Sequence, residues 1–583
     1  MFDFSSLPQS EQSGHARTAA YLREIWQAAH GDPELLHALE FSGAGALPSV
    51  FPVTDFASAA IGAAGVALAE FVHRATGKLP GVRVDRRYAS IWFGTSLRPR
   101  GWDTSPLWDA IAGDYRTADG WIRLHTNAPH HRAAALAVLG ARPDRQAVAR
   151  AVEQWRGDAL ESAVVEHGGC AAVMRTEDEW ARHPQGRAVR AEPLMIRDDV
   201  NVDGKRPAWP TQAGRPLLGV RVLDLTRILA GPVATRFLAG FGAQVLRIDP
   251  IGWDEPGTVP EVVLGKRCAR VDLKSAQGRA LLRRLIGEAD VMVHGYRPGA
   301  LDGLGFDAHE RRRLNPGLVD VSLAAYGWSG PWRGRRGFDS LVQTSAGIVA
   351  TGMRETGGAH PVPLPVQALD HGAGYLLATA AIRGLSHRLA TGAGTRVRAS
   401  LARTAALLVS GGLQEGAGPR SRGRRRAIST NGASRRAGGR RSACARRWRS
   451  RVRRCDGRIR RGRSARRPPH GRSRWRPAGA GAFVAAKLGH ADDTGRRAGR
   501  RHGNRSRDRA SHRAAARARR SPDAAPARSR AAEPGGRAPA HASPPFARST
   551  CALTQPPSGP ARNDTTPAMS SGSPRRSSGG IFA

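Results

Sequence analysis

LLGVRVLDLTRILAGPVATRFLAGFGAQVLRIDP, residues 217–250, decides the fold. Its first ten residues form a near-continuous apolar run, as expected of a strand buried on both faces. GPVATRFLAGFG (231–242) follows with Pro232 at its start, where a missing N–H is tolerated, and reads as a helix. AQVLRIDP (243–250) is a second buried strand. The rhythm continues with a helix over 275–288, a strand in ADVMVHGY, a helix after Asp307 and a strand in GLVDVSLAAYG. Apolar strands alternating with helices predict an α/β fold, with a Rossmann-like parallel sheet domain over residues 217–410. The first turn lacks GxGxxG, so a dinucleotide fingerprint is not supported.

Upstream, residues 1–200 predict helices and a smaller α+β domain. AAIGAAGVALAEFVHRATG (59–77) is a long Ala-rich helix closed by Gly77. DYRTADGWIRLHT (114–126) reads as a hairpin turning at Asp119–Gly120. AAALAVLG and QAVARAVEQWRGDALESAVVEHGG are amphipathic helices, the latter divided near Gly157. Residues 201–216, rich in Pro and Gly, read as a linker.

The charge is unevenly placed. Residues 1–400 hold 47 Lys+Arg against 40 Asp+Glu, whereas residues 401–583 hold 44 against 8, and 43 of those 44 are Arg. The segment 411–583 has little apolar periodicity and reads as a disordered, low-complexity Arg-rich tail. Dense Arg suits a nucleic-acid-binding arm. Sparse aromatics, a single lysine (Lys487) and an abrupt break after SLARTAALLVSGG argue against nucleic acid as a partner. Arg, Ala, Gly, Pro and Ser are what GC-rich DNA yields out of frame, so the tail is expected to be a frame-shifted translation. The five cysteines form no CxxC pair, which favours neither a disulfide framework nor a metal site and suits a cytoplasmic protein. MFDFSSLPQSEQSG carries no secretory pattern. No apolar run of about 18–20 residues is read, so no membrane span is expected.

Shifting the chain by 315 positions aligns two segments without a gap. Asp55 falls on Asp370, Ala75-Thr76-Gly77 on Ala390-Thr391-Gly392, and Val82-Arg83 on Val397-Arg398. Each copy reads as an acid, an Ala-rich helix, a Thr-Gly stop and a basic strand, the pattern of a partial internal duplication. Taken alone, Asp370 reads as the cap of a helix.

VLDLTRILAGPVATRFLAGFGAQVLRID, GKRCARVDLKSAQGRALL, ADVMVHGYRPGALDGLGFD, LNPGLVDVSLAAYGWSGPWRGRRGFDSLVQTSAG and PVQALDHGAGYLLATAAI occur in this order. The series resembles a class III (family III) CoA-transferase of the formyl-CoA and carnitine CoA-transferase type. Segment 51–90, YRTADGWIRL and AAVMRTEDEWARHPQGRAV resemble later portions of the same family, so the layout looks partly duplicated.

The resemblance implies that CoA moves between an acyl-CoA and a carboxylic acid acceptor through a carboxylate nucleophile, with coenzyme A as substrate thioester and no metal. Asp370 then stands at the position of the catalytic aspartate. With a reference pKa of about 3.9 it would be ionised at neutral pH, and the helix dipole would favour the anion. Gly372 and Gly374 would let the thioester approach the backbone and lend amides to an oxyanion. Arg227, Leu229 and Ala230 occupy the nucleotide-side loop. Lys274 matches a CoA-binding lysine. Tyr296 and Arg297 lie at a strand end where ligands of open α/β sheets bind, with Tyr296 placed to pack on adenine. Arg335 and Arg336 fall near basic residues that face the CoA phosphates. Asp55, with no CoA-binding half before it, is expected to be a relic.

Related racemases carry a histidine in a GHD-like triplet, where this chain has Gly337-Phe338-Asp339. Phe338 cannot exchange a proton, which counts against the alternative of a 2-methylacyl-CoA racemase-like isomerase; the other alternative is an inactive homologue whose basic tail binds nucleic acid. A homodimer is implied by the resemblance alone.

Overall fold

A computed structural model describes residues 9–97, 105–199, 206–414 and 486–489, all within the unit Met1–Ala491. The chain opens with α1 (Gln9–Ala28), β1 (Leu39–Ser42), α2 (Val53–Thr76), β2 (Gly81–Asp85) and α3 (Arg86–Trp92). Strands β1 and β2 pair in parallel, Leu39 opposite Val82. Gly77 ends α2 in the left-handed conformation, φ 74°, where a side chain would be strained. The expectation that no apolar stretch is long enough for a membrane is corrected here. By length and composition α2 is, but it lies buried inside the fold.

A second sheet follows, with β3 (Gly113–Arg116), β4 (Trp121–Leu124), α4 (Pro129–Leu139), α5 (Arg145–Val152), α6 (Gly157–Glu166) and β5 (Ala171–Val173). The β3–β4 hairpin matches the expected turn, and β4 also pairs antiparallel with β5. Ile122, Leu124, Val148, Leu160 and Val164 form its core. Helix α7 (Glu177–Arg182) starts on a capping box between Thr176 and Glu179, and α8 (Pro184–Ala191) and β6 (Ile196–Asp199) follow.

The large sheet draws on β7 (Arg221–Leu225), α9 (Ala230–Gly240), β8 (Gln244–Asp249), α10 (Val259–Val262), β9 (Lys266–Arg270), α11 (Ala276–Glu288) and β10 (Val291–His294). It continues with α12 (Ala308–Leu314), β11 (Val319–Ala324), α13 (Asp339–Ser345), α14 (Ile348–Thr356), α15 (Ala368–Thr391), β12 (Thr395–Ser400) and α16 (Leu401–Ser410). A short β13 (Ala486–Gly489) pairs with β2, an exception to the structureless tail expected there. Residues 415–485 and 490–583 of that tail, with its frame and nucleic-acid readings, lie outside the described residues.

Strand order in the large sheet is β6-β12-β11-β10-β7-β8-β9, parallel throughout except for β6. This is a doubly wound sheet whose order reverses between β7 and β10, the place where such folds bind ligands. The boundary read at residue 200 is corrected, because β6 belongs to this sheet, Thr395 opposite Asp199.

The duplication read at a shift of 315 recurs in three dimensions. Helices α2 and α15 each have 24 residues, the shift carries the bounds of one onto the other, and Gly77 and Gly392 close both in the left-handed region. The two helices pack side by side in one continuous core. Phe56 meets Gly372 near one end and Glu70 pairs with Arg383 near the other. Residues 9–97 thus share the core of the large sheet rather than that of the small one.

Candidate active site

The loop after β7 is fixed from below by a buried carboxylate. Asp224 Oδ1 accepts from the Thr226 amide at 3.0 Å and its hydroxyl at 2.5 Å. Oδ2 accepts from Thr235 at 2.6 Å and from Lys266 Nζ at 2.9 Å. Burial works against ionising Asp224, but Lys266 and the two hydroxyls outweigh it and hold the carboxyl below the ordinary range. Burial also dominates at Lys266 and lowers its pKa. Its three protons nevertheless meet three oxygens, those of Asp224, Pro232 and Thr235, which suits the charged form.

Above this anchor the loop is strained. Ile228 has φ 63°, a conformation that costs a β-branched residue on the order of 1–3 kcal/mol. Its amide donates to Glu255 Oε1 at 2.9 Å, and Glu255 is held in turn by Arg247 at 2.8 Å. The Arg227 guanidinium lies 4.7 Å from the Trp253 ring centre and 5.2 Å from that of Tyr296.

Two cavities share Arg227 and Tyr296 as lining residues. The first, about 140 Å³, lies beyond the ends of β7, β10 and β11 and is bordered by Leu229, Ala230, Arg297, Arg335, Phe338 and Asp370. The second, about 370 Å³, is bordered by Asp249, Ile251, Leu273, Lys274 and Leu304. The structure therefore brings Asp370, Arg227, Leu229, Ala230, Tyr296, Arg297, Arg335 and Arg336 around one cavity and sets Lys274 on the next.

Asp370 sits in the first turn of α15 and is 7% exposed. Its amide donates to Asp339 Oδ2 at 2.9 Å, and Gln343 Nε2 donates to Asp339 Oδ1. No ion pair to Asp370 is present among the described residues. Burial and then the Asp339 charge push its carboxyl well above the ordinary carboxylate range. The reading of Asp370 as a carboxylate with an ordinary pKa is thereby corrected. Asp339 is pushed up to about 6 by burial, despite the amides of Asp370 and Leu369 and the Gln343 side chain that favour its anion.

Gly372 and Gly374 do not border either cavity. A Cβ on Gly372 would collide with the Phe56 ring, and one on Gly374 would lie 2.6 Å from the Ala230 carbonyl oxygen. Both amides fall beyond the four free amides of a helix start, so their visible role is close helix packing rather than oxyanion binding. Arg335 borders the cavity but is engaged with Glu161 at 3.1 Å and over the Trp332 ring at 4.0 Å. Arg297 Nε is buried with no hydrogen-bond partner among the described residues. Asp55 lies against Arg86 and 3.1 Å from Arg17, two guanidinium groups that occupy its oxygens. Leu401, which borders the first cavity, stands at the repeat position of Arg86.

Sequence reasoning missed three groups. Asp339 passed unremarked in the triplet weighed for its Phe338. Trp253 lies in an irregular loop. His131, at the start of α4, borders the first cavity from the small sheet's side. Its Nε2 is 3.6 Å from Cys170 Sγ, and burial first, then His130 and Arg336, hold its pKa down to about 3. Among the described residues no group of three or more His, Cys, Asp or Glu is placed to hold a metal.

The family model described as CoA-transferase family III matches residues 217–439, running past the break read near residue 411. The chain is 34% identical over 201 residues to the probable fatty acyl-CoA transferase Rv3272 of Mycobacterium tuberculosis, covering 32% of this chain and 50% of that protein. It is 33% identical over 194 residues to the succinyl-CoA–D-citramalate CoA-transferase of Chloroflexus aurantiacus, covering 31% and 48%. A crystal structure of Rv3272 matches with 34% identity and a TM-score of 0.32, over 34% of this chain and 57% of that one. The chain spans about half the length of these curated relatives. By sequence, then, the segment from residue 217 to residue 439 matches the CoA-transferase family III.

Proposed function

We propose that the chain transfers coenzyme A between an acyl-CoA and a carboxylic acid, with Asp370 as nucleophile. One observation carries the reading. A buried carboxyl with no ion pair among the described residues borders a cavity that shares Arg227 and Tyr296 as lining with a second, larger one. A nucleotide-bearing thioester fits this shape, its phosphates near Arg227 and Arg297, its adenine in the larger cavity beside Lys274 and Tyr296, and its thioester toward Asp370.

A carboxylate oxygen of Asp370 attacks the thioester carbonyl, the carbon–sulfur bond breaks, and CoA leaves as the thiolate, giving a mixed anhydride. The thiolate attacks the Asp370 carbonyl and expels the first acid, leaving an aspartyl-CoA thioester. The acceptor carboxylate then attacks that carbonyl, and the thiolate released takes the new acyl group and frees Asp370. Each step is easier than direct displacement, and no net proton moves. Holding the reactants in place supplies the rate, since a carboxylate is a weak nucleophile.

Relatives named for succinyl-CoA, formyl-CoA and oxalate make these the first substrates to try. With succinyl-CoA and labelled succinate, the full chain should exchange label into the thioester and Asp370→Asn should not; exchange that survives the substitution would refute the reading. A second reading rests on His131, which borders the same cavity and faces Phe338. An isomerase would use it to exchange the α-proton, and deuterium uptake from solvent without transfer of CoA would establish that alternative.

A further inference from the structure

Two buried carboxylates meet at the start of α15, and the proposed chemistry uses only one of them. Asp339 is 1% exposed and opens α13, and its Oδ2 accepts the amide of Asp370 at 2.9 Å. Its second oxygen is held by Gln343, whose own oxygen accepts from the Leu364 amide at 2.9 Å, so the carboxylate cannot swing away. No ion pair to Asp339 is present among the described residues.

We infer that Asp339 is a positioning residue for the transfer: it ties down the helix start that carries Asp370 and sets the charge against which Asp370 is ionised and acylated. The inference rests on the transferase reading above. Acylation removes the Asp370 charge and with it the repulsion between the two carboxylates, so the free anion is raised in energy more than the acyl-enzyme. The bond changes stay those of the first step, with oxygen–carbon formation, carbon–sulfur cleavage and departure of the thiolate.

The other charged groups around the pair leave this balance in place. From β4, Arg123 bears on Asp339 but is itself paired with Asp114 at 2.9 Å. His125, 3.5 Å from the Ser340 hydroxyl, and His371, beside Asp370, are buried and held down to about 3, hence neutral. His131 across the cavity is neutral for the same reason. Arg227, Arg297 and Arg335 border the cavity, and among the described residues none of them forms an ion pair to Asp370.

The test is the pH dependence of succinyl-CoA/succinate exchange by the full chain. The wild type should gain activity with rising pH, through a midpoint above the ordinary carboxylate range. Asp339→Asn should move that midpoint down by about one pH unit or more, because a like charge has gone. Asp339→Glu, which keeps the charge, should stay near the wild type. A residue that merely anchors the helix would change the rate of Asp339→Asn without moving its midpoint, and that result overturns the inference. A wild-type profile flat above pH 5 overturns it too, and needs no variant to fold. Exchange retained by Asp370→Asn would refute the transferase reading instead, so the two failures are distinguishable.

Discussion

Asp370→Asn should make this protein more stable at neutral pH, and less so as the pH falls. The carboxyl it removes is buried, accepts no ion pair among the described residues and faces a second carboxylate, so its ionised form is disfavoured in the folded state. A group whose folded pKa lies above its unfolded value destabilises the fold once the pH exceeds the unfolded pKa, and the penalty is complete above the folded one. Asp339 gives the scale. Although it accepts two amides and the Gln343 side chain, its carboxyl moves from 3.8 to about 6, which is about 3 kcal/mol. Asp370 lacks those donors, so replacing it by a neutral isostere should recover a comparable amount at pH 7.5. If the roughly 400 described residues unfold together, that is about 3–4 °C in Tm. Paired thermal scans of wild type and variant from pH 5 to 8 would show the difference shrinking toward acid. An Asn variant no more stable than wild type at pH 7.5, or a gain independent of pH, would refute the electrostatic reasoning.

The repeat position should respond with the opposite sign. Asp55→Asn leaves Arg86 and Arg17 without their carboxylate in a buried setting and should cost about 3–5 kcal/mol in chemical denaturation, while leaving label exchange per folded molecule intact. Lys266→Met strands Asp224 without its cation, both side chains being 0% exposed, and should likewise cost about 3–5 kcal/mol by denaturant midpoint. Gly372→Ala ought to lose about 1–3 kcal/mol through collision with Phe56, although alanine is the better helix former. A double-mutant cycle with Phe56→Leu should then show coupling above about 0.5 kcal/mol, and additive effects would contradict the packing account.

What the sequence disclosed follows from burial. Strands β7, β8, β10 and β11 are covered on both faces and so appear as apolar runs, and the helix between the first two announces itself through Pro232. Strand β9 escaped because KRCAR lies at an edge, half exposed, with no apolar run to mark it. Strand β6 escaped because IRDD lies across a Pro/Gly-rich stretch from the sheet it joins. The register of the repeat was legible because an acid, a helix stop and a strand kept their spacing. The place of Asp370 at the start of α15 was legible through that repeat and its motif. Its raised pKa was not, because it arises first from burial in the packed fold and then from Asp339, 31 residues earlier, and a carboxylate at a helix start reads as an ordinary cap. Gly372 and Gly374 were misjudged for a related reason, since only the packed structure shows Phe56 and Ala230 filling the space left open to the thioester.

The most direct test of the account is covalent. The full chain is incubated with succinyl-CoA, quenched in acid, digested and mapped by mass spectrometry across the peptide that holds Asp370. The account predicts a CoA- or acyl-derived mass increase on Asp370 that hydroxylamine removes and that Asp55 never carries. Turnover of succinyl-CoA with Asp370 unmodified, or the same adduct on another carboxylate, would contradict it.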